Sequence, residues 1–159
     1  MAAHGRRLPL PQVPVIALIQ RVSEARVEVD GRTVGRIGPG IVALVAVERH
    51  DTPARAGRML ERLLAYRVFP DAEGRMNRSL ADTGGGLLLV PNFTLAADTA
   101  KGTRASFAPA APPQAAEALF ADLLDRARAR HGDVQAGRFG AHMRVHLVND
   151  GPVTFRLTA

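Results

Sequence analysis

Apolar positions recur along the chain with two different periods. Residues 15–22 (VIALIQRV) and 25–29 (ARVEV) are dense in β-branched side chains, and Asp30-Gly31 is a favoured two-residue turn into 32–37 (RTVGRI). A hairpin is therefore expected to open the fold. Residues 40–48 (GIVALVAVE) are apolar at odd and even positions alike, the pattern of a strand covered on both faces. The period then changes. Thr52-Pro53 offers an N-cap followed by proline at the first helical position, and Met59, Leu60, Leu63 and Leu64 share one face of a helix ending near Arg67. After Gly84-Gly85-Gly86 comes another apolar strand, 87–95 (LLLVPNFTL), interrupted at Pro91 and Asn92. The clearest helix spans 111–132, with Leu119, Phe120, Leu123, Leu124 and Ala127 as its buried stripe. Glu117 stands early in it and Arg126, Arg128 and Arg130 late, complementing the helix dipole, and Gly132 ends it. Three short strands, at about 134–139, 143–149 and 153–158, close the chain.

This order of strands, helix, strand, helix and strands predicts one α/β domain over 14–159 with a mixed or largely antiparallel sheet. Helices are too few for a doubly wound nucleotide fold. Residues 1–13 carry two arginines and several prolines, without the apolar segment of a secretory signal, and read as a disordered extension. Segment 96–113 (AADTAKGTRASFAPAAPP) has neither period; loops of that length in compact domains are usually functional or disordered.

Composition narrows the classes. Hydrophobic residues make up 47% of the chain and aromatics only 4%, so the core is aliphatic. The absence of cysteine excludes disulfides, thiolate nucleophiles and Cys-based metal sites, and is compatible with a reducing cytoplasm. No apolar run approaches the roughly 20 residues of a membrane span, so a soluble protein without membrane contact is expected. The net charge of +6 favours a polyanionic partner. That charge is scattered, and Lys101 is the only lysine among 21 basic residues, so charge alone leaves nucleic-acid contact open.

Familiar catalytic patterns are missing. Ser106 lies in no G-x-S-x-G elbow and has no recognisable triad partners, which makes it a loop or substrate-positioning hydroxyl. His142 and His146 are four apart and would share one face of a strand or helix, but no third ligand and no H-E-x-x-H pattern accompanies them. DTGGGLLL precedes a strand rather than opening a helix, so it reads as a tight turn and not a phosphate loop. Two segments remain. In VPNFTL the polar groups of Asn92 and Thr94 are placed to meet a ligand. In VNDGPVT, Asn149 and Asp150 suit turns and Gly151-Pro152 breaks a strand pattern, which a plain turn suffices to explain, with a functional turn as the alternative.

Taken together, the segments 18–48, RVFPDAEGRMNRSL, NFTL, KGTRASFAPAAPP, FGAHM and LVNDGPVT resemble the D-aminoacyl-tRNA deacylase family, colinearly from about residue 15 to 159. The resemblance implies a single deacylase-like α/β domain with barrel-like sheets, two main helices on one side, and a homodimeric assembly. It implies a carboxylic ester hydrolase that frees tRNA from D-amino acids and from glycine, with aminoacyl-tRNA as partner, no cofactor and no metal. The strand motif, usually Ser-Gln-Phe-Thr-Leu in the family, falls on Pro91, Asn92, Phe93, Thr94 and Leu95, and Asn-x-Gly-Pro-x-Thr falls unchanged on Asn149, Gly151, Pro152 and Thr154. The Gly-Pro bond is implied to be cis, with carbonyls that reach the partner's pocket, hold the substrate ammonium and leave no room for an L side chain. Phe139, Gly140, Ala141 and Met143 resemble the segment that receives the terminal adenosine, with Met76 and Phe107 nearby.

For the chemistry, Thr94 is one candidate nucleophile. Nothing beside it in the sequence is an evident base, so activation of water by the tRNA 2′-hydroxyl is preferred, with backbone N–H groups around Asn92 and Phe93 steadying the oxyanion. Pro91-Asn92 in place of Ser-Gln is the one departure, and a sister group of deacylases with a looser chiral pocket also begins this motif with proline. Other readings are a deacylase of relaxed selectivity, a noncatalytic tRNA-binding module, and a metal-dependent hydrolase using His142 and His146.

Overall fold

The computed structural model describes residues 15–49 and 51–159, so the expected extension at 1–13 lies outside the described residues. β1 (Ile16–Val29), β2 (Arg32–Ile37) and β3 (Gly40–Ala46) are followed by α1 (Pro53–Ala65). A small hairpin, β4 (Phe69–Pro70) and β5 (Met76–Arg78), leads to the short α2 (Leu80–Thr83). Then come β6 (Gly86–Pro91), a 3-10 turn (Phe93–Ala96), α3 (Pro113–Arg130), β7 (Val134–Ala136) and β8 (Arg144–Thr158). Among the described residues no helix is long and apolar enough to cross a membrane.

β1 organises the sheet. One of its edges is shared, Ile16–Val22 pairing with β3 and Ala25–Val29 with β2, while β8 runs antiparallel along the other edge from Ile16 to Glu28. Parallel pairing of β3 with β6 and of β6 with β7 completes six strands. The sheet curls until β2 meets β7, giving a nearly closed barrel. Gly35 permits that approach, since a Cβ there would lie 2.7 Å from the Ala136 carbonyl oxygen.

The two-sided apolar pattern of 40–48 has a direct counterpart. Ile41, Ala43 and Val45, with Leu87 and Leu89, face α1 and α3, whose Met59, Leu60, Leu63, Phe120 and Leu123 cover them. Val42, Leu88 and Val90 point the other way, into a second cluster with Val22, Val27 and Ile37, against which Leu44, Met143 and Leu147 pack. Removing this much aliphatic surface from water is the main term holding the domain together.

The α/β class and the two packed helices agree with the expectation; several boundaries do not. β1 is one strand over Ile16–Val29 rather than two, because the pairing with β8 resumes at Glu24 after an irregularity at exposed Ser23. Likewise the strands expected at 143–149 and 153–158 are one long β8 that begins at Arg144 and whose register jumps opposite Gln20 and Val22 to accommodate residues 150–153. The strand expected at 87–95 stops at Pro91, and Phe93 and Thr94 sit in the 3-10 turn instead. The hairpin β4–β5 and α2 had no periodic signal; α2 is set by a capping box between Ser79 and Asp82.

Candidate active site

Where β6 ends, its last residue Pro91 lies opposite Val45, and the Asn92 N–H donates to the Val45 carbonyl at 2.8 Å. The chain then tightens. Leu95 N–H bonds back to Asn92 O at 3.2 Å and Ala97 N–H to Thr94 O at 3.1 Å. The N–H groups of Phe93 and Thr94 open this turn and have no backbone acceptor among the described residues, as the first donors of any helical turn do. Of the N–H groups around Asn92 and Phe93, that of Asn92 is engaged with Val45, while those of Phe93 and Thr94 are left without a backbone acceptor.

Beside the turn opens a cavity of about 870 Å³. Pro91, Asn92 and Phe93 line it together with Phe139, Gly140, Ala141 and Met143, so two groups of residues far apart in sequence meet at one cavity. Phe139 also packs on Phe120 at 6.5 Å between centroids, serving the core and the cavity wall at once. Met143 folds back on its own segment, its sulfur accepting the Arg138 N–H at 3.3 Å, and Gly140 takes the turn at φ +76°. Phe107, at 47% exposure, leans on Phe93, at 58%, with centroids 5.3 Å apart. Met76 is exposed on β5 and is not among the lining residues.

Thr94 does not line the cavity; its hydroxyl donates to Asn92 Oδ1 at 2.5 Å. Asn149, Gly151, Pro152 and Thr154 do not line it either. They form a separate knot on β8. Asn149 Oδ1 accepts the Val153 N–H at 2.9 Å and its Nδ2 donates to Thr154 Oγ1 at 3.0 Å. Arg21 braces the knot, donating from Nε to Asp150 O at 2.8 Å and from Nη1 to Val68 O at 2.7 Å. Gly151-Pro152 is cis, and both residues are exposed.

Of the two histidine candidates, His142 lines the cavity, whereas His146 is engaged in side-chain contacts on the sheet. His146 lies 3.4 Å from Arg26 Nη2 through Nδ1 and 3.3 Å from Glu28 Oε2 through Nε2. The hydrogen bond from Arg26 holds the Glu28 carboxyl below the usual range, against a smaller burial effect. Among the described residues no three His, Cys, Asp or Glu side chains are grouped to hold a metal ion. Ser106 closes a loop through paired backbone bonds with Asp98 at 2.8 and 2.9 Å. Gly84 ends α2 in the left-handed conformation, making the glycine run a turn into β6.

Sequence reasoning did not place Arg49, Leu44, Val145, Leu147 or 110–113 at the cavity, although all of them line it. The run Pro109 to Pro113 was the available signal, since prolines fix an extended strap that side-chain periodicity does not describe. That strap is pinned to the sheet by Ala111 N–H to Val47 O at 3.0 Å.

Comparison with known proteins points in one direction. A family model described as D-Tyr-tRNA(Tyr) deacylase matches residues 18–158. The D-aminoacyl-tRNA deacylase of Alkalilimnicola ehrlichii is 66% identical over 145 residues, 91% of this chain and 97% of that one. That of Thioalkalivibrio sulfidiphilus is 66% identical over 143 residues, 90% of this chain and 96% of the other. A solved structure described as "c-Myc DNA Unwinding Element Binding Protein" is similar with a TM-score of 0.86 and 35% identity, covering 91% of this chain and 98% of that one. A probable eukaryotic D-amino acid tRNA deacylase shares the fold at a TM-score of 0.80 and 16% identity, covering 91% and 99%.

Proposed function

Because this chain belongs to the D-Tyr-tRNA(Tyr) deacylase family, we propose that it is a D-aminoacyl-tRNA deacylase, hydrolysing the ester between a D-amino acid and the 3′ end of tRNA. The observation that carries the chemistry is the Asn92–Thr94 turn, which places unengaged N–H groups beside a largely apolar cavity.

The terminal adenosine occupies the wall formed by Phe139, Gly140, Ala141 and Met143, which sets the ester against Asn92 and Phe93. A water oxygen adds to the acyl carbon while the substrate's 2′-hydroxyl takes part in its activation. Negative charge collects on the former carbonyl oxygen, and the Phe93 N–H on the cavity wall receives it, with the Thr94 N–H behind it in the same turn. The acyl–oxygen bond then breaks, the ribose 3′-oxygen takes a proton, and amino acid and free tRNA leave. Backbone donors contribute without reorganising, an advantage that grows in a water-poor cavity. Thr94 does not act as the nucleophile, since its proton is held by Asn92 and no base adjoins it.

Chirality is sorted by a second copy of the chain. Asp150, Gly151, Pro152 and Thr154 of the knot are exposed and none of them lines its own chain's cavity, so in a homodimer they are available to enter the partner's. Its main-chain carbonyls hold the substrate ammonium and fill the space an L side chain would need. Such a wall reads handedness without reading side-chain identity, so many D-amino acids and glycine pass.

The test is release of D-tyrosine from D-tyrosyl-tRNA, beside L-tyrosyl-tRNA, with and without a chelator. Turnover of the D form that survives chelation is expected; binding of tRNA without ester cleavage would overturn the reading.

A further inference from the structure

The cavity wall carries a permanent cation that no carboxylate among the described residues balances. Arg49 lines the cavity, and among the described residues it has no carboxylate within ion-pair distance. Its orientation is nonetheless fixed. The side-chain Nε donates to Ala108 O at 2.5 Å and the backbone N–H donates to Pro109 O at 3.0 Å, so both ends of the residue are tied to the proline strap. That leaves the two Nη groups, with four of the five guanidinium donors. Next along the same strap is Phe107, whose ring and that of Phe93 make an exposed aromatic pair.

A fixed cation beside exposed rings is the equipment of a single-strand nucleic-acid site, where phosphates meet guanidinium groups and bases lie on aromatic faces. The proposed function supplies the strand. With the terminal nucleoside in an apolar cavity, the first charge on the way out is the phosphate at its 5′ side. We propose that Arg49 binds this phosphodiester through its Nη edge and that the Phe93–Phe107 pair supports the base of the preceding nucleotide. The inference rests on the function proposed above and names the contact by which that site grips the CCA end.

The test uses two small esters, 3′-O-D-tyrosyl-adenosine and its 5′-phosphate, with the unaltered chain and the variants Arg49→Gln and Arg49→Lys. Arg49→Gln should raise KM for the phosphate-bearing ester at least about tenfold more than for the phosphate-free one, with kcat nearly equal, and Arg49→Lys should fall between because it keeps charge but not the fork. Affinity for a CCA trinucleotide should weaken in parallel, with the slope of log affinity against log salt smaller by about 0.7 in Arg49→Gln. Equal losses on both esters would mean that Arg49 only holds the strap, and an unaltered salt slope would overturn the phosphate contact. Failure of the unaltered chain to cleave either ester would count against the deacylase reading instead, and the trinucleotide measurement would still decide the contact.

Discussion

Thr94 Oγ1 stands 2.5 Å from Asn92 Oδ1 and donates its proton to it. A hydroxyl in that position is a turn-forming group, locking the Asn92 side chain against the start of the 3-10 turn. Replacing Thr94 by valine keeps the shape and removes the hydrogen bond, whose net worth is about 1 kcal/mol. Hydrolysis of D-tyrosyl-tRNA by Thr94→Val is expected to stay within about tenfold of the unaltered chain in kcat. Single-turnover kinetics check this, and a collapse to the uncatalysed rate would restore Thr94 as nucleophile.

Gly151 has φ +153°, in a region essentially reserved for glycine, and a Cβ there would lie 2.7 Å from both the nitrogen and Cγ2 of Val153. Gly151→Ala must therefore displace the knot that Asn149 and Arg21 brace. Gly151 itself is exposed, but Val153, which the new methyl would press, is half-buried against the main core, so Tm should fall by about 4 °C. Deacylation of D-tyrosyl-tRNA should drop by about tenfold or more if the knot completes a partner's site. A stable variant with undiminished activity would place the knot outside the chemistry.

Glu48 is 5% exposed, and its Oε2 has no hydrogen-bond partner among the described residues. Burial, and then the charge of Asp51, push its carboxyl above the ordinary value of 4.5. Burial also raises Asp51, opposed by the Glu48 N–H at 2.6 Å and by Arg55. For such groups the folded chain keeps protons that the unfolded chain releases. Their contribution to stability is complete below the unfolded pKa and is lost as pH rises through the raised folded value. Glu48→Gln removes that loss for one of them. Its Tm should exceed that of the unaltered chain by about 2 to 4 °C at pH 7.5, with the gap closing as the pH falls through the raised value towards 4.5. Calorimetry at both pH values checks it; a gap that widens on acidification would contradict the burial argument.

Legibility of this fold followed how local the determining interactions are. α1 and α3 were readable because their stripes repeat within a few residues and terminal signals bracket them. β3 was readable because both of its faces are buried. β1 and β8 were split in the reading because their continuity depends on pairing with each other across the chain, which no window around Ser23 or Gly151 contains. The site divided the same way. Motif likeness brought Pro91–Phe93 and Phe139–Met143 to one cavity, whereas Arg49 and the proline strap owe their place to a tertiary contact, Arg49 Nε to Ala108 O, between segments about sixty positions apart. The direction of the Thr94 hydroxyl was illegible because it depends on a backbone turn that a strand-like pattern conceals.

Pro91 ends β6 without an N–H, and Asn92 directs its amide oxygen to Thr94. In the motif this segment resembles, serine and glutamine stand here, supplying a hydroxyl, an additional backbone donor and one more methylene of reach. Any of these would tighten the hold on a substrate whose α-substituents must be told apart, and one gained hydrogen bond corresponds to roughly a fivefold change in an equilibrium. The double variant Pro91→Ser, Asn92→Gln is expected to discriminate D- from L-tyrosyl-tRNA about fivefold more strongly than the natural chain, measured as the ratio of kcat/KM values. The ordering of the two single variants assigns the gain. Pro91→Ser acts through the restored N–H at the end of β6, where Val45 is the Cα partner, and Asn92→Gln acts by releasing the Thr94 hydroxyl. An unchanged ratio in all three would leave handedness to the Asn149–Thr154 knot, whose main chain Asn149 and Arg21 hold in place.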